Sequence, residues 1–210
     1  MFIDHFGRQL FGWGLETIVF GAGRLAFPLF ALVLACNLAR PGDQAARAKR
    51  IALRLAIACA VATPAAIWAR GAPTQINIFG TLGLGTALCW VLASQSNLAW
   101  RVVLCGLVSI AGLYVEFGLT GVSLVAAIFL WRFKLRRETA ALAAIMLLAL
   151  TYFNASFGGV YGIVGTLVVL PLAWAVTYVS VVMPRMPWLF YAIYPAHLAL
   201  IGALNAATAP

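Results

Sequence analysis

A succession of apolar runs, broken by short gaps, constrains this chain more than any other feature of its sequence. Residues 25–39, 51–69, 76–93, 98–114, 115–131, 139–152, 159–183 and 188–204 each read as a membrane-depth helix, with an irregular segment over residues 1–23 before them. In a bilayer every backbone N–H and C=O must find its partner internally, so a chain of this kind spans as helices. The composition agrees: 64% of the residues are hydrophobic, 9% are charged, and the mean hydropathy is +1.01. The expected fold is all-α, a polytopic helical membrane bundle of about 8–9 transmembrane helices forming one domain over residues 1–210.

The net charge of +9 would suit a nucleic-acid partner, but its distribution points elsewhere. Arg40, Arg47, Lys49, Arg50 and Arg54 crowd one loop, and Arg132, Lys134, Arg136 and Arg137 crowd another. Basic residues in short loops between apolar runs mark the cytoplasmic face. Four runs separate the two loops, an even number, so both emerge on one side. The turn at residues 184–187 (Pro184, Arg185, Met186 and Pro187) falls on that side as well, whereas residues 71–75 and 114–120 fall on the other. A nucleic-acid partner is therefore not expected; the lipid bilayer is.

Cys36, Cys59, Cys89 and Cys105 lie inside apolar runs without C-x-x-C spacing and read as small buried hydrophobes. No metal site is expected. The opening MFIDHFGRQLFGW lacks a basic stretch followed by an apolar core, so it does not read as a cleavable signal peptide. GTLGLG (residues 80–85) and GGVYGIVG (residues 158–165) place small residues three or four apart, as closely packed membrane helices do. Neither follows a strand, which excludes a phosphate-cradling loop. The 98–131 stretch must fold as two helices around a tight turn at Glu116, Gly118 and Gly121.

Few polar groups remain at membrane depth once the loop charges are set aside. They are Asp4, His5, Arg24, Asn77, Thr81, Glu116, Tyr194 and His197, with Glu16 and Arg101 less clearly placed. A single charge at the centre of a span costs about 3 kcal/mol, so such groups persist by pairing or by lining a wet cavity. Asp4 and His5 are neighbours and, if helical, point about 100° apart, which gives them different partners; Arg24 is the partner expected for Asp4. Pro195 frees the carbonyl of Tyr191 and kinks its helix one turn from His197, while Tyr191, Tyr194 and His197 share a stripe. An imidazole there serves either as an interhelical hydrogen bond or as a catalytic or substrate-gripping group.

The motifs DHFG (residues 4–7), GRLAFPLFALVLA (23–35), INIFGTLGLG (76–85), EFGLTGVSLV (116–125) and YPAHL (194–198) resemble, in this order, those of the TraX family. These are conjugal-transfer membrane proteins that include TrbP-type members and are similar to the transmembrane acyltransferase superfamily. One departure is that family members usually carry an apolar helix before the DH pair, where this chain has only Met1, Phe2 and Ile3. The resemblance implies an enzyme of the bacterial inner membrane, N-acetylating a conjugative pilin or pilin-like peptide with acetyl-CoA as donor. Carried onto this chain, the family's motif residues are Asp4, His5, Arg24, Pro28, Asn77, Thr81, Glu116, Tyr194 and His197; of these we assign Asp4, His5, Glu116 and His197 as catalytic residues, and Arg24, Asn77, Thr81 and Tyr194 as substrate-binding ones. In these roles His5 is the general base, Asp4 and Arg24 fix local charge, and Asn77 and His197 donate to the developing oxyanion.

Two other function classes remain open. A non-enzymatic subunit of a conjugation or type IV secretion apparatus would use the polar residues only to hold helices together. A small proton-coupled transporter would use them as an ion path, but the two halves show no inverted repeat and no matching pair of broken helices.

Overall fold

The computed structural model describes residues 2–15, 17–71, 75–94, 96–176, 178 and 188–208. Glu16 and the basic turn at residues 184–187 lie outside the described residues. Nine helices run through the described chain: α1 (Phe2–Leu10), α2 (Ile18–Leu38), α3 (Gln44–Arg70), α4 (Ile78–Ala93), α5 (Leu98–Gly112), α6 (Gly118–Lys134), α7 (Arg137–Leu167), α8 (Val169–Val176) and α9 (Leu189–Thr208). The only extended pairing among the described residues is a parallel bridge between Ile76 and Val115. The helical membrane class expected from the apolar runs is what the chain adopts.

The number of spans is a correction. Four segments are long and apolar enough to cross a membrane, Ile18–Leu38, Gln44–Arg70, Arg137–Val176 and Leu189–Ala207, against the 8–9 expected. The reason is length. The 16 residues of α4 and the 15 of α5 rise only about 24 and 23 Å, short of a hydrocarbon core of ~30 Å. A second correction lies at the start of the chain, where residues 1–23 were expected to be irregular. Phe2–Leu10 forms a helix instead, and α2 begins at Ile18, so Arg24 sits inside a helix and not at its first residue.

Arg137–Leu167 is not one straight rod. Gly158 and Gly159 leave the helical region, with φ/ψ of −127°/19° and 50°/−133°. The second pair belongs to a region open almost only to glycine. In a straight helix Asn154 and Thr166 would lie ~18 Å apart along the axis. Instead the Asn154 Nδ2 donates to the Thr166 Oγ1 at 2.9 Å. The chain therefore folds back, and the break expected between the runs 139–152 and 159–183 is present. The outgoing arm, residues 137–157, is about 31 Å long and matches a bilayer by itself.

The chain divides into two compact units. The first comprises Met1–Leu29, Val61–Pro73 and Thr151–Pro210, and the second Phe30–Ala60 and Thr74–Leu150. In the first, α1 packs on α9, and the returning arm of α7 lies against the start of α2. Small residues allow that approach: a Cβ on Gly21 would meet the Tyr161 carbonyl oxygen at 2.8 Å, and one on Gly165 would strike the carbonyl of Gly21. In the second unit α4 packs against α5 and α6, burying Ile78, Phe79, Leu82, Val122, Val125 and Phe129. A Cβ on Gly85 would come within 2.8 Å of the Val125 Cβ. Both glycine-rich motifs therefore serve packing.

The α5–α6 turn is tied to the segment before α4. The Ile76 amide donates to the Tyr114 carbonyl at 2.8 Å, and the Glu116 amide donates to the Ile76 carbonyl at 2.9 Å. Gly118 makes the turn with φ of +57°, a conformation that side chains with a Cβ rarely adopt. Substitution at Gly165 separates packing from propensity. Gly165→Ala pushes a methyl into backbone and is expected to destabilise by about 1–3 kcal/mol. Gly106→Ala, with nothing within 4 Å of the new methyl, is expected to be neutral or slightly stabilising. Thermal unfolding in detergent measures both; equal midpoints for Gly165→Ala and wild type would contradict the close approach of α7 to α2.

Candidate functional site

The site in the first unit begins with the short α1. Asp4, His5 and Gly7 are its buried residues. Gly12, with φ of +63°, lets the chain reverse so that the Trp13 amide donates to the Gly7 carbonyl at 3.0 Å and the indole covers Gly7. Neighbours on the helix face different ways, and Asp4 and His5 do so here. The Asp4 Oδ2 pairs with the Arg24 Nη2 at 3.2 Å, the partner expected for it. Arg24 also lies over the Phe20 ring, 4.6 Å from its centre. Gly23 makes room, because a Cβ there would stand 2.6 Å from the Asp4 Cβ. The second carboxylate oxygen of Asp4 is buried and has no hydrogen-bond partner among the described residues.

His5 turns toward α9. Its Nδ1 lies 2.9 Å from the His197 Nε2, bringing together residues 192 positions apart. The two rings stack with centres 5.2 Å apart and planes 14° from parallel, and Phe2 closes on His197 edge-on at 4.4 Å. On its far side the His5 Nε2 faces the Arg70 Nη2 at 3.4 Å, and that guanidinium nitrogen also donates to the Tyr194 hydroxyl at 3.4 Å. The His197 Nδ1 lies 3.2 Å from the Ile193 carbonyl oxygen.

These contacts admit one arrangement of protons. A carbonyl can only accept and a guanidinium can only donate. The His197 Nδ1 therefore carries a hydrogen toward Ile193, which leaves its Nε2 as the acceptor of a hydrogen on the His5 Nδ1. The His5 Nε2 is then bare and receives Arg70. Protonating either ring would set donor against donor somewhere along the row. Burial first, then the Arg70 guanidinium, then the second imidazole hold His5 well below the ordinary histidine range. His5 is therefore a neutral base, with its Nε2 lone pair accepting from the Arg70 guanidinium.

The α3 terminus is aimed by its contacts with α9. A Cβ on Gly202 would stand 2.7 Å from the Trp68 ring, so the indole seats against bare backbone. The Asn205 Nδ2 donates to the Ala69 carbonyl at 3.3 Å. These contacts fix the residues just before Arg70. Sequence reasoning missed Arg70 because it closes an apolar run and resembles an interfacial anchor. The signal that could have found it is its place at the end of α3 away from the basic loops, where cations are scarce.

Asn77, Thr81 and Glu116 belong to the second unit. Asn77 precedes α4 and caps it: its Oδ1 accepts from the Phe79 amide at 3.0 Å, and its Nδ2 donates to the Cys59 carbonyl at 3.2 Å. The fully buried Thr81 receives the Phe117 amide at 3.5 Å. Glu116 lies half-buried in the α5–α6 turn. Arg101 reaches the Leu92 carbonyl at 3.3 Å. The structure thus gathers Asp4, His5, Arg24, Tyr194 and His197 within one unit, together with Arg70, and holds Asn77, Thr81 and Glu116 in the other.

A family model described as TraX protein matches residues 1–205 of the chain. No curated protein and no solved structure matches it.

The depressed proton affinity of His5 has a consequence for stability. The unfolded chain takes up a proton near pH 6.5 and the folded one only at lower pH, so stability is lost as pH falls below ~6.5. The wild-type midpoint of thermal unfolding is expected to drop between pH 7.5 and 5.5, and His5→Gln is expected to flatten that slope. A wild-type and His5→Gln pair with parallel slopes would contradict a neutral, buried His5.

Proposed function

The chain belongs to the TraX family, and from that premise we propose that it is an integral inner-membrane acyltransferase that N-acetylates a conjugative pilin or pilin-like peptide from acetyl-CoA. Membership makes it a conjugation-related, pilin-associated membrane protein; the acetyl transfer is the finer reading. The observation that carries this reading is the contact of His5 with His197, closed on one side by Arg70 and Tyr194.

Acetyl transfer to an amine forms an N–C bond and breaks the C–S bond of the thioester. The attacking amine loses one proton and the departing thiolate gains one, so the residues need only receive a proton and pass it on. The His5 Nε2 is the base in this reading. When it takes the amine proton, its Nδ1 hydrogen moves toward the His197 Nε2, and the charge is shared over two rings. Arg70 gives up a long 3.4 Å contact in the process, which frees that N–H for the oxygen where negative charge develops. Tyr194 stands beside it as a second donor. The Asp4 carboxylate, turned away from His5 and paired with Arg24, fixes local charge on the other side of α1.

In the roles first assigned to this site, Asn77 was an oxyanion donor. Its amide here holds Phe79 and Cys59, and His197, expected beside it as the second donor, directs its Nδ1 hydrogen at Ile193 and its bare Nε2 at His5, so Arg70 with Tyr194 takes that part in the proposal. An electrophile-stabilising donor typically contributes about 10²–10³ in rate, and a general base about 10²–10⁴.

The test is the intact mass of the pilin-like partner from cells carrying each variant. His5→Gln is expected to abolish the acetyl increment at near wild-type membrane abundance. His197→Gln is expected to do the same, because an amide can accept the His5 Nδ1 hydrogen but cannot take the proton over. Arg70→Lys should also be impaired, since a point-charge ammonium does not reproduce the forked donor. A partner with full acetyl mass in the His5→Gln strain removes this histidine from the mechanism. A partner without an acetyl group in the wild-type strain sinks the acetylase reading and favours an assembly subunit.

A further inference from the structure

In the second unit, α4, α6 and α7 border an apolar groove of about 260 Å³. Leu92 of α4, Ser123, Ala127 and Leu130 of α6, and Leu142 and Met146 of α7 line it. The groove lies at one end of these helices. Leu92 is in the last turn of α4, Leu130 lies four residues before the end of α6, and Leu142 is in the second turn of α7. Leu130 is therefore ~6 Å below Lys134 along the helix, and Leu142 ~7.5 Å beyond Arg137.

The last turn of α6, the two-residue link after it and the first turn of α7 carry Arg132, Lys134, Arg136 and Arg137, all exposed, against one carboxylate, Glu138. Lys134, Arg136 and Arg137 form no ion pair among the described residues. Trp131 is 37% exposed beside them, an aromatic at the depth where bilayers turn polar.

An apolar groove in a membrane gains nothing from the hydrophobic effect alone, because lipid tails are as apolar as leucine. What can select an occupant is the charge at its mouth. Clusters of Lys and Arg at the ends of membrane helices attract anionic head groups, and basic pockets between helices hold them. The geometry points to a binding site for one anionic phospholipid of the leaflet facing this link, with an acyl chain in the α4–α6–α7 groove and its phosphate among Lys134, Arg136 and Arg137. This site is independent of the acetyl-transfer reading, since none of its residues belongs to the His5–His197 cluster.

Native mass spectrometry of the purified full chain, from micelles doped with equal phosphatidylglycerol and phosphatidylcholine of matched chains, tests the assignment. The wild type is expected to retain phosphatidylglycerol with a preference of about tenfold. The triple variant Lys134→Gln, Arg136→Gln, Arg137→Gln changes only exposed side chains and is expected to lose that preference. Ser123→Phe fills the groove and is expected to lower retention of both lipids. Equal retention of the two lipids by the wild type would overturn the site. Phosphatidylglycerol preference that survives the triple variant would overturn the head-group assignment, and retention unchanged in Ser123→Phe would overturn the groove.

Discussion

A guanidinium facing an imidazole nitrogen sets the proton order of everything connected to it. Arg70 can only donate, so the His5 nitrogen it faces must be bare. The carbonyl of Ile193 can only accept, so the His197 nitrogen it faces must carry a hydrogen. Between these two ends lie the two imidazoles, and their 2.9 Å contact is satisfied in one direction only. The row costs burial of two polar rings, and each member is there because its neighbour satisfies it. Such a chain of donors and acceptors is suited to moving one proton without separating charge far.

The packing around this row depends on residues that have almost no side chain. Gly23 admits the Asp4 carboxylate, Gly202 seats Trp68 just before Arg70, and Gly21 and Gly165 bring α2 and the returning arm of α7 together. Without a hydrophobic driving force between helices in lipid, contact of this kind is what holds them. Short α1 contributes too few residues to be stable as a free helix and owes its form to packing on α9. The base of the proposed reaction is therefore carried by the element most dependent on its neighbours.

The helical membrane class was legible because apolar runs and clustered Lys and Arg are signals of composition along the chain. The break in α7 was legible as the gap between the apolar runs 139–152 and 159–183, and the Asp4–Arg24 pair in the angle between neighbours on a helix. Other features were not. α1 lacks an apolar run, carries Asp4 and Arg8 and two nearby glycines, and so reads as irregular. The span count came out too high because the turns consume residues that a hydropathy window credits to α4, α5 and α6. His5 and His197 are separated by nearly the whole chain, so no spacing rule links them. Arg70 closes an apolar run, and its inward direction is set by Trp68 and Asn205, which a local reading does not see.

The row from Arg70 to Ile193 can be read directly, because the chain contains only two histidines. Solid-state NMR of protein labelled with ¹⁵N-histidine, in bilayers at neutral pH, reports which nitrogen of each ring bears hydrogen. The account requires both rings to be neutral, protonated at Nδ1 and bare at Nε2, with a correlation between the His5 Nδ1–H and the His197 Nε2. A hydrogen on either Nε2, or two independent rings without that correlation, would contradict it.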